Sequence, residues 1–484
     1  MKSPLKWGFF FYISYFFCIF KYMKKKEGKI FTPPEVVRFM LDKVGYAPGK
    51  NVIDNSCGDG KILAEIVKIN ILHFKGEELK EELETHIHGV EIDPTVHEEC
   101  IANLNNVLKD NGINENIEWD IRCGDSLTIH DYDGQMDFVV GNPPYIRTKH
   151  LVSDTTGYTF MSNGMVDLYL AFFELGFNQL NENGKMIYIA PSSWYLSIAG
   201  QVMRNYIYET RHLSHIWDFC HCQVFENAQT YVSITLFDKA KCFRKICFTE
   251  TTFTDGSIGF GKVFIEKYED ISINGNFYFS DKDCLDLLRS VLCQDKLSKH
   301  IVAKNGYATL CDEVFIGGFE EESEYIIPIV KTSNGEESNC VYPYDKNGKV
   351  ISEEKLSEVS PLAFQRLVDN REKLDGRKTT EPWYAYGRTQ GLPDTFRNKY
   401  GIKHIVKSPQ DMKIKKIDSG VGAYGGLYVV ADEGYEKFIK EVYNESFFNF
   451  IKLLRKYKSG GYYTFSTREF NAYASYYLKK NASE

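Results

Sequence analysis

The chain has 484 residues, 43% apolar and 26% charged, an ordinary globular composition that excludes a disordered, collagen-like or disulfide-scaffold protein and leaves room for two large domains. The formal net charge is -8, yet residues 361–484 hold 22 Lys and Arg against 14 Asp and Glu, while residues 1–360 hold 36 against 52. A basic end (+8) on an acidic remainder (-16) is the asymmetry expected when one part of a chain meets phosphate.

Trp7 to Phe20 form a nearly unbroken apolar run of fourteen residues, shorter than the ~20 a membrane-spanning helix needs. Lys2, Lys6 and Lys21 flank it, but no small-x-small cleavage site follows. Residues 1–22 are therefore read as an apolar extension or a misassigned start, with the folded chain opening at Met23 and no membrane partner expected. From there strand and helix signals alternate, which predicts a mainly parallel α/β sheet with helices on both faces. Pro33 and Pro34 open a helix with Val36, Val37, Met40 and Leu41 on its apolar face. Strands follow at 51–54, 87–92, 117–122, 136–140 and 185–190, with helices at 61–69, 94–108 and 167–180. The acidic stretch 76–84 reads as a loop or an exposed helix end. Apolar runs at 216–219 and 231–237 add strands. Beyond about residue 240 the rhythm fades, so residues 23–240 are expected to form one domain and residues 241–484 a second, mixed α+β one. The twelve cysteines show no paired spacing. The lone C-x-C at Cys220 and Cys222 lacks a second ligand pair, so buried thiols in a reducing, cytoplasmic setting are expected and no metal.

The chemistry-bearing residues cluster at predicted strand ends. The first is a glycine-containing turn, Asp54-x-x-Cys57-Gly58-Asp59-Gly60. Ligands of open α/β sheets bind there, and glycines let the backbone approach them. A Walker lysine and the G-x-G-x-x-G spacing are both missing, which disfavours ATP and NAD. Glu91, in VEID, ends the second strand and can accept hydrogen bonds from ribose hydroxyls. Asp125, in CGDS, is placed to take an adenine amine. The fourth strand ends in Asn142-Pro143-Pro144-Tyr145. Two prolines fix φ and remove two donors, which leaves an acceptor-rich edge, the Asn142 side-chain oxygen and the Pro143 carbonyl, suited to a planar NH2 group. Tyr145 offers a ring to stack on the base.

Taken together, FTPPEVV (31–37), DNSCGDG (54–60), GVEIDP (89–94), GDS (124–126), GNPPY (141–145) and GKMIYIAPSSW (184–194) resemble the ordered motifs of S-adenosylmethionine-dependent N6-adenine DNA methyltransferases of the gamma, TaqI-like class. AYGRTQGL (385–392) and SGGYYTFS (459–466) are similar to TaqI-like specificity domains. The resemblance implies a Rossmann-like class I methyltransferase sheet followed by a target-recognition domain, with double-stranded DNA as partner and S-adenosylmethionine as cofactor. It implies that Thr32, Asp54, Cys57, Gly58, Gly60, Glu91, Asp125 and Asn142 border the cofactor. Asn142 and Pro143 would hold the target amine, and Tyr145 and Phe225 would stack on a flipped base. In the basic end, Arg388, Gln390 and Arg397 could reach base edges, while Lys403, Lys407, Lys413, Lys415 and Lys416 suit phosphate. The same NPPY also serves methyltransferases of protein glutamine and of RNA, which usually carry a small N-terminal domain rather than a long C-terminal one. No Pro-Cys nucleophile for C5-cytosine transfer occurs. No convincing nuclease set is found, so a cognate endonuclease, if any, is expected to be a separate protein.

Overall fold

A computed structural model describes residues 32–147, 154–225, 230–319, 322–377 and 382–481. The 1–22 extension and residues 226–229, next to Phe225, lie outside the described residues. The chain divides into two compact units, Met1–Leu285 and Asp286–Glu484.

The first unit is built around one nine-stranded sheet. Its elements in chain order are α1 (Pro34–Val44), β1 (Val52–Asp54), α2 (Lys61–His73), α3 (Gly76–His86), β2 (Ile87–Glu91), α4 (Pro94–Asp110), β3 (Asp120–Cys123) and β4 (Met136–Gly141), then α5 (Tyr169–Gln179), β5 (Leu180–Pro191), α6 (Gln201–Thr210), β6 (Leu213–Asp218), β7 (Val232–Asp238), β8 (Lys245–Thr254) and β9 (Ser257–Lys267). The strand order is β3-β2-β1-β4-β5-β7-β6-β8-β9. Strands β1 to β5 pair in parallel. β7 lies antiparallel between β5 and β6. The order reverses between β1 and β4, so the crevice outside their carboxyl ends is the topological switch point where ligands of such sheets bind.

Local signals explain the elements. Pro34 occupies the first turn of α1, where its missing N–H costs nothing, and Gly45 in a left-handed conformation ends the helix. Asp93 caps α4 by accepting from Thr95 N and Val96 N. β5 alternates between the two faces: Ile187 and Ile189 join a core with α1, α2 and α4, while Met186 and Tyr188 meet Gly176 of α5 on the other side. Burial on both faces is what a parallel sheet covered by helices requires.

Three features depart from the sequence reading. The acidic stretch after Gly76 is a full helix, α3, because Leu79, Glu82 and Leu83 recur at helical spacing on a buried face. There Glu82 accepts from Gly49 N at 2.7 Å. Helix α6, which the sequence reading did not assign, buries Arg204 together with Met203 and Ile207. The third departure is the boundary expected near residue 240. β8 pairs in parallel with β6 and β9 pairs antiparallel with β8, so the sheet continues through residue 267 and the first unit runs to Leu285. The βα rhythm ends at 240 because the chain there turns from helical crossovers to a hairpin, not because the domain ends.

Arg204 yields a stability prediction. Its guanidinium donates to Trp194 O (2.5 Å), Ser197 O (2.8 Å) and Gly275 O (2.6 Å), and burial lowers its pKa to about 10. Arg204→Met leaves three carbonyls without that donor and is expected to cost about 2–4 kcal/mol in urea unfolding; an unchanged midpoint would refute the assigned role.

The second unit is mixed α+β. One sheet has the order Ile301–Asn305, Leu427–Ala431, Lys399–Ile402, Ile414–Ile417, and another the order Glu337–Val341, Ile326–Lys331, Gly422–Tyr424. The C-terminal helix Thr467–Asn481 is tied to the first strand by Asn471, which accepts from Ala303 N at 2.6 Å and donates to Ala303 O at 3.2 Å. Buried Tyr307, Tyr342, Tyr344 and Tyr386 pack with Phe315 as a cluster of rings. Among the described residues no helix is long and apolar enough to cross a membrane, and no group of three His, Cys, Asp or Glu side chains could hold a metal ion.

Candidate active site

The turn between β1 and α2 is shaped by its glycines. Gly60 sits at φ 81 as the residue before α2, and a Cβ on it would stand 2.6 Å from the Cys100 sulfur, so both backbone conformation and space exclude a side chain. The turn is bonded to the neighbouring strand ends. Cys57 N donates to Val90 O (3.0 Å). Gly58 N donates to Glu91 Oε2 (3.0 Å) and Asp93 N to Glu91 Oε1 (2.9 Å). Ser126 Oγ donates to Asn55 O (2.6 Å) and Ser56 Oγ to Asn142 O (3.3 Å). One loop is thereby keyed to the ends of β2, β3 and β4.

The acids at these ends differ in setting. Asp54 is buried and accepts from Ser56 N at 3.1 Å. Desolvation, opposed by that bond and reinforced by Glu91 and Asp59, raises its pKa to about 7. Burial also raises Glu91, against the two backbone N–H groups that it accepts from. Asp125 is half-exposed and accepts from Leu127 N at 3.0 Å. This donor set, buried acids beside a glycine turn that leaves open space at Gly58, fits a ligand that carries positive charge and hydroxyl groups. Cys57 differs from the other expected cofactor residues. Its thiol is buried 4.0 Å from that of Cys100, so it faces α4 and offers the turn only its main chain.

At the end of β4 the side chains of Thr32, Asn142 and Tyr145 meet. Tyr145 donates its hydroxyl to Asn142 Oδ1 at 2.6 Å, with Ile189 O at 3.2 Å, and Asn142 Nδ2 donates to Thr32 Oγ1 at 3.2 Å. A Cβ on Gly141 would come within 3.2 Å of Asp54 Oδ1, so the amide corner and the buried acid are immediate neighbours. Phe225 lies 6.4 Å from Tyr145 between ring centroids, inclined by 54°. The ring is only 3% exposed. The two rings touch each other instead of standing parallel around a gap, so Phe225 is close to the place expected for a second stacking ring without holding a stacking geometry.

The structure thus brings Thr32, Asp54, Gly58, Gly60, Glu91, Asp125, Asn142, Pro143 and Tyr145 to one edge of the sheet. Sequence reasoning overlooked the support beneath them. Asn55 donates to Gln179 Oε1 (2.9 Å) and Tyr188 donates to Asn55 Oδ1 (2.9 Å), a fully buried set spanning residues 55 to 188, for which no local signal exists. In the second unit Arg388 and Gln390 are exposed on a strand-like segment held by Arg388 N to Ala308 O (3.0 Å) and Ala308 N to Arg388 O (3.1 Å). Several of the other basic residues are engaged by neighbours: Arg397 pairs with Asp394 (3.3 Å), Lys403 with Asp411 (3.4 Å), Lys416 with Asp418 (3.1 Å), and Lys415 with Glu337.

This strand order, with an antiparallel β7 and a crevice at the β1–β4 switch, makes the first unit a Rossmann-like α/β fold. Comparison with known proteins narrows the class. The family described as Eco57I restriction-modification methylase matches residues 60–225. The type II restriction enzyme and methyltransferase RM.Eco57I of Escherichia coli is 25% identical over 336 residues, which cover 56% of this chain and 33% of that protein. The type II methyltransferase M.BstVI of Geobacillus stearothermophilus is 24% identical over 419 residues, 74% of each chain. Among solved structures, the type IIL restriction-modification enzyme MmeI in complex with DNA shares the fold at 15% identity and a TM-score of 0.62, covering 90% of this chain and 64% of that one. These likenesses relate the chain to Eco57I-like type II restriction-modification DNA methyltransferases without separating a TaqI-like gamma subclass among them. The chain spans only a third of the length of RM.Eco57I.

Proposed function

We propose that this protein is a site-specific DNA methyltransferase of the gamma, TaqI-like kind. In this reading it uses S-adenosylmethionine to methylate the N6 amine of an adenine extruded from duplex DNA. It serves as the modification part of a restriction-modification or phage-defence system, and any endonuclease is a separate protein. The observation that carries the reading is the diproline corner: the Asn142 carboxamide, held by two hydroxyls, stands beside an acid-lined turn.

The adenine amine is a weak nucleophile because its lone pair is delocalised into the ring. Two acceptors, Asn142 Oδ1 and the Pro143 carbonyl, take its two hydrogens and favour a pyramidal nitrogen with the lone pair free. Glu91 would hold the ribose of the cofactor, Asp125 its adenine amine, and Asp54 and Thr32 would border its amino-acid end. When bound, S-adenosylmethionine supplies an electrophilic methyl group on a sulfonium. The residues of the chain then act by positioning and electrostatics, without a covalent nucleophile. An amine inside a duplex cannot reach the corner, so the nucleotide must leave the stack, at a few kcal/mol. Stacking on Tyr145, with Phe225 after a change in ring inclination, offsets part of that at about 1–3 kcal/mol per base.

Methylated-base calling on plasmid DNA from an expressing host tests the reading and reports base and recognition sequence together. Unmodified DNA alongside methylated RNA or protein glutamine would overturn it. In the second unit, taken here as the target-recognition part, Arg388 is exposed and its main chain is pinned, which suits a base-reading side chain. Arg388→Ala is expected to slow methylation of the cognate duplex by about 10- to 100-fold and to relax discrimination at one base pair. Equal slowing on every duplex would instead mark a phosphate contact.

A further inference from the structure

A primary carboxamide presents nearly the same shape in two orientations that differ in which end is oxygen. Asn142 can accept from a target amine only with Oδ1 toward it; reversed, it would oppose donor to donor. At this corner two hydroxyls grip the carboxamide, one at each end. The Tyr145 hydroxyl lies 2.6 Å from Oδ1, a separation typical of O–H···O bonds, while Nδ2 lies 3.2 Å from Thr32 Oγ1, at the long end for N–H···O. Reversal would place an N–H 2.6 Å from the Tyr145 oxygen, closer than such bonds run. It would also turn the single Tyr145 proton to Ile189 O, 3.2 Å away. Burial keeps the Tyr145 hydroxyl protonated far above its ordinary range, so it remains a donor. Stacking on a base uses the ring of Tyr145 and does not require its hydroxyl.

We propose that the Tyr145 and Thr32 hydroxyls are positioning groups that fix the Asn142 carboxamide with its oxygen as acceptor, leaving the second lone pair of that oxygen for the target amine. The inference rests on the methyl-transfer reading above. Asn142 then arrives oriented, and no reorganisation is needed when the amine binds.

The test compares the full-length wild type with Tyr145→Phe, Thr32→Val and Thr32→Ser on duplexes carrying 2-aminopurine or adenine at the target position. Cofactor affinity, 2-aminopurine fluorescence and single-turnover transfer are measured separately. Tyr145→Phe is expected to bind cofactor and extrude the base within about twofold of wild type, yet to transfer methyl about tenfold or more slowly. Thr32→Val should slow single-turnover transfer at saturating cofactor, and Thr32→Ser should restore it. A Tyr145→Phe rate within twofold of wild type would overturn the inference, as would a slow rate that merely tracks lost extrusion. Wild type that transfers no methyl to DNA would remove the reaction assignment, and the inference with it.

Discussion

Asn142→Ala is expected to fold, to bind cofactor, and to lose methyl transfer by about a hundredfold to a thousandfold, the range seen when one preorganised polar group at a reacting centre is removed. The substitution deletes the acceptor Oδ1 and nothing that holds the sheet together. Of the groups left behind, the Tyr145 hydroxyl still has Ile189 O at 3.2 Å, and the Thr32 hydroxyl loses only the long hydrogen bond that it accepts from Asn142 Nδ2. The cost in stability is accordingly small, about 1 kcal/mol. The main chain of the corner remains fixed by Ser56 Oγ on Asn142 O and by the two prolines. Single-turnover transfer of labelled methyl to a cognate duplex, with cofactor binding measured calorimetrically on the same sample, separates the two effects. Transfer at the wild-type rate would refute the acceptor role of Asn142.

The second large effect is on pH. Asp54 has a folded pKa of about 7, against an ordinary carboxyl near 3.8. Since the folded value is raised, the neutral form is favoured by folding. Its stabilising contribution is complete below pH 3.8 and is lost as pH rises through about 7. A cationic ligand reverses the preference, because it interacts favourably only with the ionised form. Cofactor affinity should therefore fall as pH is lowered below 7, approaching about tenfold per pH unit if binding requires full ionisation. The cofactor-free protein should show the opposite trend in this term and melt at lower temperature at pH 8 than at pH 6. Asp54→Asn should flatten both dependences. Titration calorimetry and thermal melts between pH 5.5 and 8.5 decide the matter; an affinity that is flat with pH in the wild type would show that Asp54 is not coupled to the ligand.

Much of the first unit was legible because strands β1 to β4 are short and closed by turn signals, and because parallel strands put all their carboxyl ends on one edge. DNSCGDG, VEID, GDS and NPPY could be placed together for that reason alone. What local pattern could not reveal is long-range pairing. Asn55 and Tyr188 meet across 133 positions, and the strand Ile301–Asn305 finds its partner at Leu427–Ala431. Helix α3 escaped notice because only Leu79 and Leu83 interrupt an acidic surface. Cys57 sits in the cofactor-like turn by sequence, but packing against Cys100 decided where its thiol went. Among the basic residues near the C-terminus, charge alone could not distinguish Lys415 and Lys416, which pair with acids, from the exposed Arg388.

The hairpin β8–β9 bears on how the chain can be dissected. A fragment ending near residue 240 would strip β8 from β6 and leave the backbone of His215 to Asp218 as a raw hydrogen-bonding edge, a template for intermolecular strand addition. Ending the fragment near residue 285 retains both strands. Poor solubility of the shorter piece would then reflect where it was severed, and would say nothing about whether its catalytic residues are competent.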